Sequence, residues 1–236
     1  MKKLTIIVLF ILTAFGSKAQ SDEGLHFGLK ITPSIAWLRT DSKEVETNGT
    51  KFGFCYGLIT EFKFAEHYAF ATGLDVTYRG GNLKSTFPTS DPIANTSTVT
   101  VTEFASTLQY IEIPISLKLK TNEIGSLTYY LQAGVAPGFN IRARADIKSS
   151  TETTDLSVTP NTKTTSNSEL NDEDIQEDTN NLNFSMLIGG GVEYTLTGST
   201  VLLVGIQFNN GLLDISDDPD IKANSNLLGL SIGILF

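Results

Sequence analysis

Phe52 to Arg79 reads FGFCYGLITEFKFAEHYAFATGLDVTYR, and the fold class turns on this stretch. Apart from Thr60, every second residue of its first half is large and apolar: Phe52, Phe54, Tyr56, Leu58, Phe62 and Phe64. The residues between them are Gly53, Cys55, Gly57, Ile59, Glu61 and Lys63. After Ala65-Glu66-His67 the alternation resumes, with Phe70, Leu74, Val76 and Tyr78 against Ala69, Ala71, Gly73, Asp75 and Arg79. A period of two is the signature of a β-strand, because successive side chains leave a strand on opposite faces. Two such runs joined by three residues predict an antiparallel hairpin.

The same pattern recurs outward from this hairpin. It covers Leu25 to Trp37, Ile111 to Leu119, Tyr129 to Arg142, Phe184 to Leu196, Leu202 to Phe208 and Leu228 to Phe236. That makes eight predicted strands. Most have about 10 residues or more, the length needed to cross a bilayer at a tilt; strands of soluble proteins average about 5–6. The predicted connections alternate in length. Residues 65–67, 121–126 and 197–199 are tight, whereas 39–50, 80–107, 143–182 and 209–226 are longer. Short turns on one side and long loops on the other are characteristic of outer-membrane barrels.

The rest of the chain sets bounds. Its 236 residues carry a net charge of −9, which argues against nucleic acid as a partner. Cys55 is the single cysteine, so no intrachain disulfide forms. Lys2 and Lys3 precede an apolar run from Leu4 to Phe15, and Ser17-Lys18-Ala19 supplies small residues for cleavage. This predicts a signal peptide over residues 1–19 and an exported domain over 20–236. No later stretch is long and apolar enough for a transmembrane helix. A membrane location therefore requires a closed barrel, the one sheet that leaves no backbone group unpaired in lipid.

Alternation does not say which face is inside. A soluble lipocalin-like barrel would turn its Leu, Ile and Phe inward and show a strongly polar outer face. Here the second face is instead rich in Gly, Ala and Ser with a few charges, which suits the narrow interior of an eight-stranded barrel. Aromatics near strand ends, among them Trp37, Phe64, Tyr68, Tyr129 and Tyr194, fit interfacial girdles. The expectation is an all-β, eight-stranded antiparallel up-and-down transmembrane β-barrel, with long outer loops and short periplasmic turns.

Particular segments resemble a known family. Tyr110-Ile111-Glu112-Ile113-Pro114-Ile115, Tyr130-Leu131-Gln132-Ala133-Gly134-Val135, Gly189-Gly190-Gly191-Val192-Glu193-Tyr194 and Phe208-Asn209-Asn210-Gly211-Leu212 are similar to the PorT-like outer-membrane barrels of Bacteroidetes-type bacteria. The resemblance extends over residues 20–236. It implies an outer-membrane location, surrounding lipid, and recognition of the aromatic Phe236 by barrel-assembly machinery. It implies no particular activity, since fold does not carry function.

Catalytic chemistry is sparsely represented. His26 and His67 are the two histidines, and both fall near the predicted periplasmic end. A surface Ser-His-Asp arrangement is therefore not available, and no His or Cys spacing suits a metal. Gly189-Gly190-Gly191 lacks the Lys-Ser/Thr partner of a phosphate loop. The expectation is a non-enzymatic protein without a cofactor. Lys30, Glu61, Asp75, Arg79, Glu112, Lys118, Arg142 and Glu193 are expected to point inward and to plug the barrel as an ion-pair network, since buried charges need partners. The alternative is a narrow pore or small-molecule site in the lumen. The acidic run around Asp172, Asp174 and Asp178 offers oxygen ligands for calcium, with a solvated surface loop as the plainer reading. Ser149 to Ser168 is low in complexity and expected to be flexible. Any protein partner would be recognised through the outer loops.

Overall fold

The computed structural model of the protein describes residues 24–42, 45–217 and 222–236. The predicted signal peptide lies outside the described residues. Eleven strands form one antiparallel sheet: β1 (Leu25–Thr40), β2 (Val45–Thr47), β3 (Lys51–Ala65), β4 (Tyr68–Asp91), β5 (Thr96–Glu112), β6 (Ile115–Lys120), β7 (Leu127–Asp155), β8 (Thr162–Asp174), β9 (Leu182–Thr197), β10 (Thr200–Gly211) and β11 (Ala223–Leu235). Each barrel strand pairs with its neighbour in the chain, and β1 pairs with β11, as in Gly28 with Leu235 and Trp37 with Asn226. The sheet therefore closes into a ring of eight.

β5 and β6 together make one strand of that ring. Pro114 has no N–H to give to a ladder, and Ile113-Pro114 interrupts the run. The Ile113 amide still donates to the Pro137 carbonyl at 2.9 Å, so the two halves stay in line.

Outward and inward faces separate as their chemistry dictates. Ile113 and Leu230 lie on the outer surface, exposed by 48% and 45%, whereas Glu112 and Glu193 are buried. A soluble barrel requires the reverse. An apolar belt of this extent is far larger than a water-soluble surface tolerates. From Phe27 to Trp37 there are ten residue steps; at about 3.3 Å each and a tilt near 40°, they span about 25 Å, the height of a barrel's apolar band. Aromatic pairs mark its margins: Phe64 with Tyr68 beside a tight turn, and Trp37 with Phe208 near the opposite end.

Two of the four long connections are extended sheet. The expected loops over 80–107 and 143–182 are largely strand, because β4 and β5 continue together to Asp91 and Thr96, and β7 continues to Asp155. Ser149 to Ser168, expected to be flexible, includes the ends of β7 and β8, which pair with each other. The composition explains this. Thr is β-branched and favours strands, and its hydroxyls join across the ladder: Thr98 with Thr153 at 3.2 Å, Thr100 with Thr151 at 3.3 Å, Thr102 with Ser149 at 2.7 Å. With β2 on the edge of β4, these segments form a five-stranded wall. It continues the barrel on one side for about 40 Å of strand beyond Arg79.

One expected inward residue faces out. Tyr110 pairs with Asn140 but Gln109 pairs with Arg142, so Ile141 is an extra residue, a β-bulge. A single extra residue reverses the parity of everything after it. Arg142 is consequently exposed, while Asn140 and Ala143 take the inward positions.

Candidate functional site

Four layers fill the interior, starting from the end with the short turns. The lowest is apolar: Ile59, Tyr130, Leu203 and Leu235 pack together with Val201. Tyr130 fits there because its neighbours have no side chain. A Cβ on Gly205 would collide with the Tyr130 hydroxyl, and would lie 2.8 Å from the Gly190 carbonyl.

Beside this floor stands a charged quartet. Lys118, fully buried, reaches Glu61 and, at 2.5 Å, Glu193. Lys120 bonds the second oxygens of the same carboxylates, at 2.6 and 2.8 Å. The Lys118 ammonium also lies 4.0 Å from the centre of the Tyr130 ring. Lys120 is absent from the sequence reading, which ended the strand at Leu119. The signal was available, since Lys120 has the parity of Ser116 and Lys118.

The third layer holds two further pairs. Lys30 meets Asp75 at 2.7 Å. Arg79 pairs with Glu112, which also accepts from the Thr77 hydroxyl at 2.7 Å and from Asn183 at 3.2 Å. The Arg79 guanidinium sits 5.4 Å from the Tyr110 ring centre. Among the described residues, Lys30, Arg79, Lys118 and Lys120 thus face Asp75, Glu61, Glu112 and Glu193: four cations against four carboxylates. Deep burial of charge costs several kcal/mol per ion unless it is paired and hydrogen-bonded; every ion here is paired, although Asp75 Oδ1 and Arg79 Nε lack a hydrogen-bond partner among the described residues.

The fourth layer is apolar again and closes the barrel where the wall begins. Leu108, Tyr110 and Ala143 pack with Ile175 and Ile215. Next to them Leu38, Val45, Leu83 and Ala223 pack with Phe104 and Ile215. Above this layer lies a cavity of about 560 Å³ between the inner face of the wall and the segments around Ile175 and Ile215.

The remaining predicted site residues are dispersed. Arg142 lines a shallow outer surface depression with Tyr78, Gln109 and Arg144. Asp172 and Asp174 turn to Arg144, at 3.8 and 3.6 Å. They do not join Asp178 as a ligand set, and no group of three or more potential metal ligands occurs among the described residues. The Arg144 guanidinium lies beside both Asp172 and Asp174, whose carboxylates are otherwise exposed to solvent. The Phe236 amide donates to the Phe27 carbonyl at 2.7 Å, and its ring lies on the outer face, 58% exposed.

Residues 18–217 match the family described as outer membrane protein beta-barrel domain. No curated protein matches the chain. Among solved structures, Neisserial surface protein A is 17% identical, with a TM-score of 0.46 over 91% of this chain and 100% of that one. Ail, the attachment invasion locus protein of Yersinia pestis, is 11% identical, with a TM-score of 0.31 over 89% and 99%. OprG of Pseudomonas aeruginosa is 10% identical, with a TM-score of 0.38 over 89% and 95%. With a closed ring of eight strands, a lipid-compatible outer face and a family match over most of its length, the chain belongs to the outer membrane protein beta-barrel domain family.

Proposed function

We propose that this protein is a closed, non-enzymatic outer-membrane barrel that displays a β-wall for recognition at the cell surface. One observation carries the reading: four cations and four carboxylates neutralise one another across the lumen, between two apolar layers, while β4, β5, β7 and β8 continue past the membrane band. A conducting pore needs a wetted path; paired charges at this depth hold each other instead of water or ions. The lumen network is then structural, and the outer wall carries the interaction with a protein or small-molecule partner.

The finer assignment is the PorT-like branch, supported by the strand motifs around Glu112, Gly134 and Gly190. In this reading residues 1–19 direct export, residues 20–236 form the barrel domain, and Phe236 is the signal read by the assembly machinery. The placement of the histidines supports the non-enzymatic reading: His26 lies in β1 close to the short-turn end, and His67 lies in the tight turn between β3 and β4.

The test is electrical. The protein reconstituted in planar bilayers should give no steady current at neutral pH. A steady current altered by Arg79→Ala would refute the plugged lumen and favour a narrow pore. An epitope inserted at Asn95, between β4 and β5, should be reached by antibody on intact cells; access only after lysis would refute the orientation.

A further inference from the structure

The cavity above the fourth layer is unlike the rest of the outer surface. Its volume of about 560 Å³ falls within the range of small-molecule sites, about 300–1,000 Å³. Its wall is built by register. Leu83 pairs with Phe104, Phe104 with Ile147, and Ile147 with Leu170, which sets one apolar row across four strands. Leu83, Phe104 and Ile147 face the cavity, and Ile175 and Ile215 close it from the other side.

Two polar features stand out against this lining. Ser85 is buried, exposed by only 3%, and its hydroxyl has no hydrogen-bond partner among the described residues although it borders the cavity. A buried hydroxyl without a partner costs free energy, and a ligand atom would satisfy it. At the solvent side the exposed polar residues are Glu177, Asp178 and Asp217, and the lining contains no Lys, Arg or His among the described residues. The mouth is negative, the body largely apolar, and the buried Ser85 hydroxyl has no partner among the described residues.

We propose that this cavity binds a small cationic amphiphile: an apolar body whose inner end hydrogen-bonds Ser85 and whose ammonium group lies among Glu177, Asp178 and Asp217. The assignment rests on the reading of the outer wall as the recognition surface and names the class of molecule recognised there. The carboxylates are solvated, so their part is selection of charge sign, whereas enclosure by Phe104, Ile147 and Ile175 supplies most of the affinity.

Methyl-labelled protein in lipid nanodiscs should be titrated with 8-aminooctanol, octylammonium and 8-hydroxyoctanoate, and the isoleucine methyls followed by NMR. 8-Aminooctanol should move the Ile147, Ile175 and Ile215 signals saturably. 8-Hydroxyoctanoate should bind at least tenfold more weakly, a gap that Asp178→Asn with Asp217→Asn should narrow. Ser85→Ala should remove the advantage of 8-aminooctanol over octylammonium. Thr102→Trp, at a half-buried lining position, should block all three compounds. Equal binding of the anion, shifts confined to the lipid-facing Ile206 and Ile234, or full binding by Thr102→Trp would overturn the proposal. Bilayer current recorded on the same preparation separates the outcomes: a silent barrel that binds none of the compounds refutes the cavity alone, whereas a conducting barrel refutes the closed lumen.

Discussion

Replacing Lys118 by Met tests whether the charged quartet holds the barrel together. The substitution keeps most of the aliphatic stem and removes the ammonium. Glu61 and Glu193 then share only Lys120, which already bonds both at 2.6 and 2.8 Å. The quartet goes from neutral to a net charge of −1 at a site where Lys118 is fully buried. Removing one partner of a buried ion pair costs about 3–5 kcal/mol. The remaining Lys120 places the loss near the lower figure, about 3 kcal/mol, or about 150-fold in the folding equilibrium. Lys118→Met with Glu61→Gln restores neutrality and should recover much of that loss. Lys163→Met is the control: its pair with Glu152, at 2.7 Å, is exposed on both sides and should contribute less than about 1 kcal/mol. Urea unfolding in phospholipid vesicles measures all three, with Trp37 as the sole tryptophan reporter and heat-shifted gel migration as a second probe. A Lys118→Met protein within about 1 kcal/mol of the parent, or a double variant less stable than the single, would refute the reasoning.

Gly205→Val should fold poorly, since even a Cβ there meets Tyr130; an overpacking loss of about 1–3 kcal/mol or more is expected in the same urea assay, and Tyr130→Phe should relieve part of it. Ile206→Arg, at a position exposed by 61% near mid-strand, should cost about 2–4 kcal/mol in vesicles, where a soluble protein would be indifferent to it. At the end of β7 the Ser157 hydroxyl and amide both donate to Asp155 and hold its carboxyl below the usual range. Its small contribution to folding is present above the unfolded pKa and lost as pH falls through the lowered one; carboxyl NMR should show Ser157→Ala moving the titration upward.

What could be read in advance was whatever repeats every two residues within the membrane band. Phe52 to Arg79 shows its hairpin openly because lipid demands an apolar residue at each outward position. That constraint ends at the headgroups. Beyond them, around Thr98 and Thr100, lipid no longer dictates the outward residues, and alternation gives way to a run that resembles a loop by composition. Arg142 illustrates a second limit. Its parity was counted from Tyr129, and a bulge at Ile141 leaves no mark in the sequence that the pattern reveals. The ion-pair partners were legible as a set of inward charges. The pairing of Lys30 with Asp75, and of Arg79 with Glu112, depends on stagger between strands, which only the register fixes. The cavity was not legible at all, because its walls come from eight separate segments.

The pairing of β1 with β11 has a consequence for biogenesis. The seam joins the two most distant parts of the described chain, residues 28–40 with 223–235. Until it closes, any sheet inside a bilayer has two raw borders whose amides and carbonyls find no water. Strand-by-strand insertion would therefore stall, and the last strand must be at hand before the first commits. In a polypeptide built this way, the state that leaves no sheet border open exists only once the circle is complete.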